Sequence, residues 1–101
     1  MPSSDSKKGA RVGVVRVPLG RVLATPGALE QVSAVDLVTA LRRHACGDWG
    51  EVDADDRLAN ERAIEGDGRI LSAYLTGSGV RFWIITEADR SATTLLLPDE
   101  Y

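Results

Sequence analysis

The chain has 101 residues, of which 44% are hydrophobic and 27% charged, and its net charge at pH 7 is −3. This length fits one domain, and the composition excludes both an intrinsically disordered chain and a bilayer-spanning protein. The single cysteine, Cys46, excludes an intramolecular disulfide, and the first residues lack the apolar core of a secretory signal, so we expect a cytoplasmic protein without a membrane partner.

The N-terminal part of the chain combines a polar start with one short apolar alternation. Residues 1–10 are rich in Ser, Lys and Gly, which predicts a flexible tail ahead of a single α+β domain over 11–101. Apolar residues alternate within 19–24, after Pro18, and predict one strand there. Residues 1–21 carry five basic side chains against Asp5, so this segment is a candidate for binding nucleic acid.

Three helix starts follow. Thr25 and Pro26 predict a short helical turn over 26–31, because a hydroxyl caps exposed amides and proline suits the first helical position. Ser33 starts the main helix, over 34–46, and Asp53 caps a second one that runs to about Glu65. The predicted apolar face of the main helix consists of Val35, Leu37, Val38, Leu41 and Ala45.

The last third of the chain predicts a three-stranded antiparallel meander over 69–75, 80–86 and 92–97, with a hairpin turn at 77–79. The run 80–86 is apolar on both faces, which is typical of a central strand. The expected fold is therefore α+β, with the meander packed against two helices and the 19–24 strand as a candidate addition at an edge. An uncovered Trp83 would favour a homodimer over a monomer, because exposed apolar patches mark association sites.

The first candidate site is the segment 42–50, which holds the only histidine. His44 could act as a general base oriented by Asp48. The simpler alternative is that the cations of this last helical turn offset the helix dipole, while Trp49 covers the helix end. No second Cys or His accompanies Cys46 and His44, so neither a metal nor a cofactor is expected.

The second candidate site is the turn 87–91, between two apolar runs. A rigid sheet could present Arg90 to a phosphate or carboxylate, with Glu87 or Asp89 orienting the guanidinium. The alternative is a local ion pair in a polar turn, in which Asp89 and Ser91 bond backbone amides.

A third feature is the acidic composition of 48–67, where eight acids oppose Arg57 and Arg62. Carboxylates at phosphate-like spacing could mimic DNA, but such a run is more commonly a solvated helix face.

Three segments and the chain end carry a resemblance: GRVLATPGAL at 20–29, RHACGDWG at 43–50, WIITEADRS at 83–91 and the terminal LPDEY. Over about 19–101 the chain resembles small uncharacterised bacterial proteins of plasmids and other mobile elements, loosely labelled plasmid-related or restriction-associated. The resemblance carries over no functional residue. It implies a role in conflict between mobile elements and hosts, such as anti-restriction or anti-CRISPR binding.

These observations favour a small non-enzymatic interaction protein that binds a macromolecular partner, and the favoured partner is another protein. The expected contact set is Asp48, Trp49, Glu87, Asp89 and Arg90. One alternative is a small hydrolase or nuclease with His44 as base, Asp48 orienting it and Arg90 stabilising developing charge. The other is nucleic-acid binding through the basic N-terminal segment.

Overall fold

A computed structural model describes residues 14–101, so the tail expected over 1–10 and most of the basic N-terminal segment lie outside the described residues. In chain order the elements are β1 (Arg21–Ala24), α1 (Pro26–Gln31), α2 (Ala34–Ala45), α3 (Ala54–Glu65), β2 (Ile70–Leu75), β3 (Arg81–Thr86), β4 (Ala92–Leu96) and a 3₁₀ helix (Pro98–Glu100).

The four strands form one mixed sheet in the order β1-β4-β3-β2. β2, β3 and β4 pair antiparallel, with β3 inside the sheet, and β1 pairs with β4 in parallel. The α+β class is confirmed. The expected meander on two helices is incomplete, because β1 makes the sheet four-stranded and mixed, and α1 adds a third helix. Apolar periodicity locates a strand but does not encode the direction in which it pairs.

Side-chain caps fix where the helices begin. The hydroxyls of Thr25 and Ser33 accept hydrogen bonds from the backbone of Ala28 and Asp36, at 3.2 and 3.1 Å. The Asp53 carboxylate accepts the Asp56 N–H at 2.8 Å at the start of α3. These contacts satisfy amides that have no partner inside the helix. Among the described helices, none combines the length and the apolar character that a membrane crossing requires.

The main core lies between α2 and one face of the sheet. Leu37 and Ala40 of α2 pack with Tyr74, Phe82, Ile84 and Leu95 of the strands, together with Val32. The prediction is wrong for two residues of the expected apolar helix face, because Val35 and Val38 are 74% and 55% exposed. The buried stripe of α2 is rotated away from them, because His44 and Ala40 occupy positions that the apolar pattern did not include.

The outer edge of β2 is covered. The side-chain amide of Asn60 in α3 accepts the Leu71 N–H at 3.1 Å and donates to the Leu71 carbonyl at 2.7 Å. Beside it, Ala73 bonds the backbone of Trp49 and Glu51, at 3.1 and 2.7 Å. A Cβ at Gly50, whose φ is +71°, would lie 2.0 Å from the Ala73 carbonyl oxygen, so this close approach requires glycine.

Candidate functional site

His44 lies inside the protein and heads a chain of buried hydroxyls. Its side chain has no exposed surface. Nδ1 is hydrogen-bonded to the Ser72 hydroxyl, and Nε2 lies 2.8 Å from the Thr86 hydroxyl. The Thr86 hydroxyl in turn lies 2.7 Å from that of Thr93, which donates to the carbonyl of Leu19 at 2.7 Å.

The carbonyl at the end of this chain sets the direction of every proton in it. A carbonyl only accepts, so Thr93 donates to Leu19, Thr86 donates to Thr93, and Nε2–H of His44 donates to Thr86. Nδ1 is then the acceptor for the Ser72 hydroxyl. Burial lowers the pKa of His44 from 6.5 to about 4, so the imidazole is neutral at pH 7. This is the arrangement of a satisfied core histidine.

Asp48, the residue expected to orient His44, is paired elsewhere. Its carboxylate accepts a hydrogen bond from Nε of Arg43 at 2.7 Å, and this contact lowers the pKa of Asp48. The Arg43 guanidinium also lies 4.8 Å from the ring centre of Tyr74, whose hydroxyl donates to the Asp48 carbonyl at 2.7 Å. Asp48 is exposed and so can meet a partner, but it holds the end of α2 together rather than the imidazole.

Trp49 belongs to the core. It is 1% exposed and packs with Val17, Ala63 and Ile70 in a second buried cluster. Its Nε1–H donates to Glu61 at 2.9 Å, and Glu61 also pairs with Arg16 at 2.7 Å. Burial therefore removes Trp49 from the expected contact set, because the indole has no surface to offer a partner.

Arg90 is held by backbone carbonyls. Its guanidinium donates to Ala63 at the end of α3 and to Gly68, both at 2.7 Å, as well as to the carbonyls of Glu87 and Ala88 at 3.1 and 3.2 Å. Its backbone has a φ of +63°, which non-glycine residues seldom adopt. Arg90 thus joins the turn to the C-terminal end of α3, where a cation also offsets the helix dipole.

The rest of the 87–91 turn follows the simpler alternative. The Asp89 carboxylate accepts the Ser91 N–H at 2.9 Å, and the hydrogen bonds from Ser91 lower the pKa of Asp89. Hydrogen bonds therefore do not bring His44, Asp48 and Arg90 together, since each is occupied by other partners. Residues 14–101 contain no group of three side chains arranged to hold a metal ion.

The strand register defines a second sheet face, opposite α2, which we call the open face. Alternation places on it Leu71, Ala73 and Leu75 of β2, Trp83 and Ile85 of β3, Thr94 and Leu96 of β4, and Leu23 of β1. Neither of the two buried apolar clusters found within the described residues includes any of these side chains. Leu75 and Leu23 are 48% and 41% exposed and Trp83 is partly exposed, whereas Ala73, Ile85 and Leu96, between them, are buried.

The C-terminal residue forms part of this open face. The Tyr101 ring packs edge-on against Trp83, with 5.8 Å between ring centres, and remains 68% exposed. Arg69 donates to the Tyr101 hydroxyl at 2.7 Å and approaches Glu87 at 3.6 Å. Glu87, one of the expected contact residues, therefore lies at the rim of the open face.

Sequence patterns point to Trp83 but not to Arg69 or Tyr101. Side chains alternate between the two faces along an extended strand, so Glu87 lies on the same face as Trp83. Arg69, next to the start of β2, lies on that face as well, because the register pairs odd-numbered residues of β2 with odd-numbered residues of β3. The position of Tyr101 depends on the 3₁₀ helix that returns the chain end to β3, which no local pattern specifies.

Comparison of the chain with models of protein families, with curated proteins and with solved structures finds no match. The resemblance to proteins of bacterial mobile elements stays a prediction.

Proposed function

We propose that this protein is a non-enzymatic binding module that docks a protein partner on the open face. The observation that carries the proposal is that Trp83, Tyr101, Leu71, Leu75 and Leu23, all at least partly exposed, lie on one sheet face around the buried Ala73, Ile85 and Leu96 and outside both buried clusters of the described chain. Apolar and aromatic side chains grouped at a surface are typical of protein interfaces, where Trp and Tyr contribute much of the binding energy.

The charges around this face favour a partner with acidic residues at its own rim. Arg21, Arg69 and Arg81 lie on the same face by register, and two carboxylates, those of Glu87 and Glu51, approach two of them. Three arginines against two carboxylates leave this rim with a small excess of positive charge, although the whole chain has a net charge of −3. Complementary charge at the rim speeds association and selects among partners, while the apolar centre supplies affinity.

A protein fits this surface better than a nucleic acid. Two of the three arginines already approach carboxylates, Arg69 at 3.6 Å from Glu87 and Arg81 at 4.0 Å from Glu51. Leu75 and Leu23 present exposed aliphatic surface, whereas single strands are bound by aromatic stacking in a strongly basic groove. The buried, neutral imidazole of His44 gives the hydrolase alternative no support.

The resemblance favours a role for the proposed module among proteins of bacterial mobile elements. A partner would then belong to a host defence system, as in anti-restriction or anti-CRISPR binding, and would be met in the cytoplasm. Of the expected contact residues, Glu87 is retained at the rim, and Asp48 and Asp89 are exposed outside the open face.

The test is a capture experiment from bacterial lysate with and without nuclease, followed by measurement of the affinity of the purified partner. We expect Leu75→Asp and Trp83→Ala each to weaken binding by roughly tenfold or more, since a charge or a truncated aromatic at an apolar contact costs more than 1.4 kcal/mol. Leu58→Asp on α3 is the matched control, because Leu58 is 50% exposed, as Leu75 is 48% exposed.

Two results would contradict the proposal. Equal affinity of the Leu75→Asp, Trp83→Ala and Leu58→Asp variants would show that binding does not use the open face. Capture that disappears on nuclease treatment and weakens steeply with salt would identify nucleic acid as the ligand instead.

A further inference from the structure

We propose that β1 is a dimerisation strand, which pairs antiparallel with β1 of a second copy of this chain across a two-fold axis. This inference concerns the edge of the sheet and does not depend on what binds to the open face. It rests on the different treatment of the two sheet edges, on the exposed side chains of β1 and on the symmetry of its register.

The two edges of the sheet differ in how their backbone groups are satisfied. At β2, the outward N–H and C=O groups of Leu71 and Ala73 are all bonded, by Asn60 and by the backbone of Trp49 and Glu51, and only those of Leu75, at the hairpin end, have no partner among the described residues. At β1, Arg21 and Thr25 donate their N–H groups inward, to Ser91 and Leu95 of the β4 side.

Parallel pairing then directs the N–H and C=O groups of Val22 and Ala24 outward. No hydrogen bond between described residues reaches these four groups. An unpaired row of this kind is a template for another strand.

The side chains of β1 also suit a covered edge better than a solvated one. Val22 and Leu23 point to opposite faces of the sheet and are 47% and 41% exposed. Exposed edges are normally protected by shortness, charges, a bulge or a covering segment; β1 is short, with four residues, but Arg21 is its only charged side chain. Covering both apolar side chains at once requires a neighbour that continues the sheet, because a partner on one face would leave the other side chain exposed.

The register of β1 is self-complementary about Leu23. With the two-fold axis at Leu23, Val22 of one copy lies opposite Ala24 of the other, and these are the residues whose backbone groups point outward. The two symmetric pairs exchange four hydrogen bonds. Arg21 then faces the neutral Thr25 of the second copy, so no like charges meet, and the two Leu23 side chains touch on the open face.

Pro26 limits the pairing to this short stretch, because it lacks an N–H donor and starts α1. A second copy therefore fits the edge over the whole of 21–25, without an overhang. The perpendicular two-fold axis keeps both α2 helices on one side, so the two open faces join into one eight-stranded surface.

The experiment measures the mass of the full chain by sedimentation over a wide concentration range. We expect the wild type to shift with concentration from 10.8 kDa to twice that mass. Val22→Pro removes one outward-pointing N–H group per copy and leaves the β1–β4 hydrogen bonds in place. Val22→Lys introduces a charged side chain at the β1–β1 contact of the dimer. Each should weaken dimerisation by roughly tenfold or more.

Val35→Lys is the control, since Val35 is an equally large residue that is 74% exposed on α2; it should dimerise like the wild type. Circular dichroism confirms that each variant is folded. A wild type that stays at 10.8 kDa at the highest concentration overturns the proposal, and so does a dimer that Val22→Pro and Val22→Lys leave unchanged. Leu75→Asp, which tests the open face, should leave this dimer intact, so the two proposals fail separately.

Discussion

At the scale of single residues, His44 combines complete burial with complete hydrogen bonding. Both ring nitrogens have a hydroxyl partner, and the chain of hydroxyls ends on the Leu19 carbonyl. Protonation of Nδ1 would bring its N–H and the hydroxyl hydrogen of Ser72 into repulsive contact, in a fully buried site. The folded protein therefore holds the imidazole neutral.

This neutral state makes the free energy of unfolding depend on pH. The pKa of His44 is about 4 in the folded protein and 6.5 when solvated, so the unfolded chain takes up the proton first as the pH falls. The contribution of the neutral imidazole to the free energy of unfolding is fully present well above pH 6.5 and is lost as the pH falls toward 4. We expect a loss of about 2 kcal/mol between about pH 7.5 and pH 5, measured by urea denaturation.

Two comparisons make this prediction specific to His44. Asp48 and Glu61 have lowered pKa values, so their contribution is lost only below their solvated values of 3.8 and 4.5. His44→Gln should be less stable than the wild type but insensitive to pH in this window. Because the chain has one histidine, NMR reports its titration directly, and a midpoint near 6.5 would contradict the prediction.

Arg90 shows why the candidate sites could be located but not interpreted from sequence. The 87–91 segment was correctly identified as a polar turn, because its composition is local information. That the guanidinium donates to the carbonyls of Ala63 and Gly68 depends on where α3 ends in space. An arginine with a free guanidinium and one whose guanidinium is hydrogen-bonded look the same in a sequence. The role of Arg90 therefore follows from its hydrogen-bond partners in the folded protein.

At the scale of elements, α3 protects the edge of the sheet through one side chain. Asn60 is 3% exposed and presents a donor and an acceptor to Leu71, as a neighbouring strand would. An amide can do this on a helix because its two functions lie side by side. The polar composition of α3 therefore conceals one residue with a core role.

Replacing this amide by a carboxylate tests the role. Asn60→Asp keeps the shape but cannot donate to the Leu71 carbonyl, and it buries a charge. We expect a loss of about 2–3 kcal/mol in the free energy of unfolding at pH 7. Ala59→Asp adds the same charge at an exposed neighbouring position and serves as control. Equal stability of the two variants would mean that Asn60 does not seal the edge.

The positions of the elements were largely predictable, because caps, turns and alternation are local. The short helix 26–31 was confirmed as Pro26–Gln31, and the strands and the other two α-helices lie within a residue or two of their expected bounds, but the 3₁₀ helix Pro98–Glu100 was not predicted. The buried face of α2 could not be predicted in this way, since Val35 and Val38 fit a helical apolar period and are nevertheless exposed. The parallel partner of β1 was not predicted either, because it is 71 positions away, as in the pair Arg21 and Ala92.

At the scale of the whole molecule, the C-terminal end of the chain is tied to the start of α1. The Glu100 carboxylate accepts the Thr25 hydroxyl at 2.5 Å, the Gly27 N–H at 3.0 Å and the Leu97 N–H at 2.8 Å. The hydrogen bond from Thr25, followed by those from the backbone, lowers the pKa of Glu100. One side chain thus joins segments more than seventy residues apart.

We expect Glu100→Gln to lower the thermal midpoint by a few degrees at pH 7, because an amide accepts fewer of these bonds. The lowered pKa means that the carboxylate stabilises the fold above its solvated value of 4.5 and loses this effect as the pH falls. The difference between wild type and variant should therefore vanish in acid. Asp99→Asn, at an exposed neighbouring position, should leave the midpoint unchanged, and a similar drop for both variants would contradict the role of Glu100.

The parallel pairing of β1 with β4 has a consequence for synthesis on the ribosome. Among the four strands β1 is made first and its partner, Ala92–Leu96, is made last. At about 5–20 residues per second, the nascent chain carries an unpaired β1 for several seconds. During that interval both edges of β1 are open, so truncated or stalled chains would expose Val22 and Leu23 to other strands. Synthesis of β4 closes one of these edges, so the sheet is complete only after its last strand has been made.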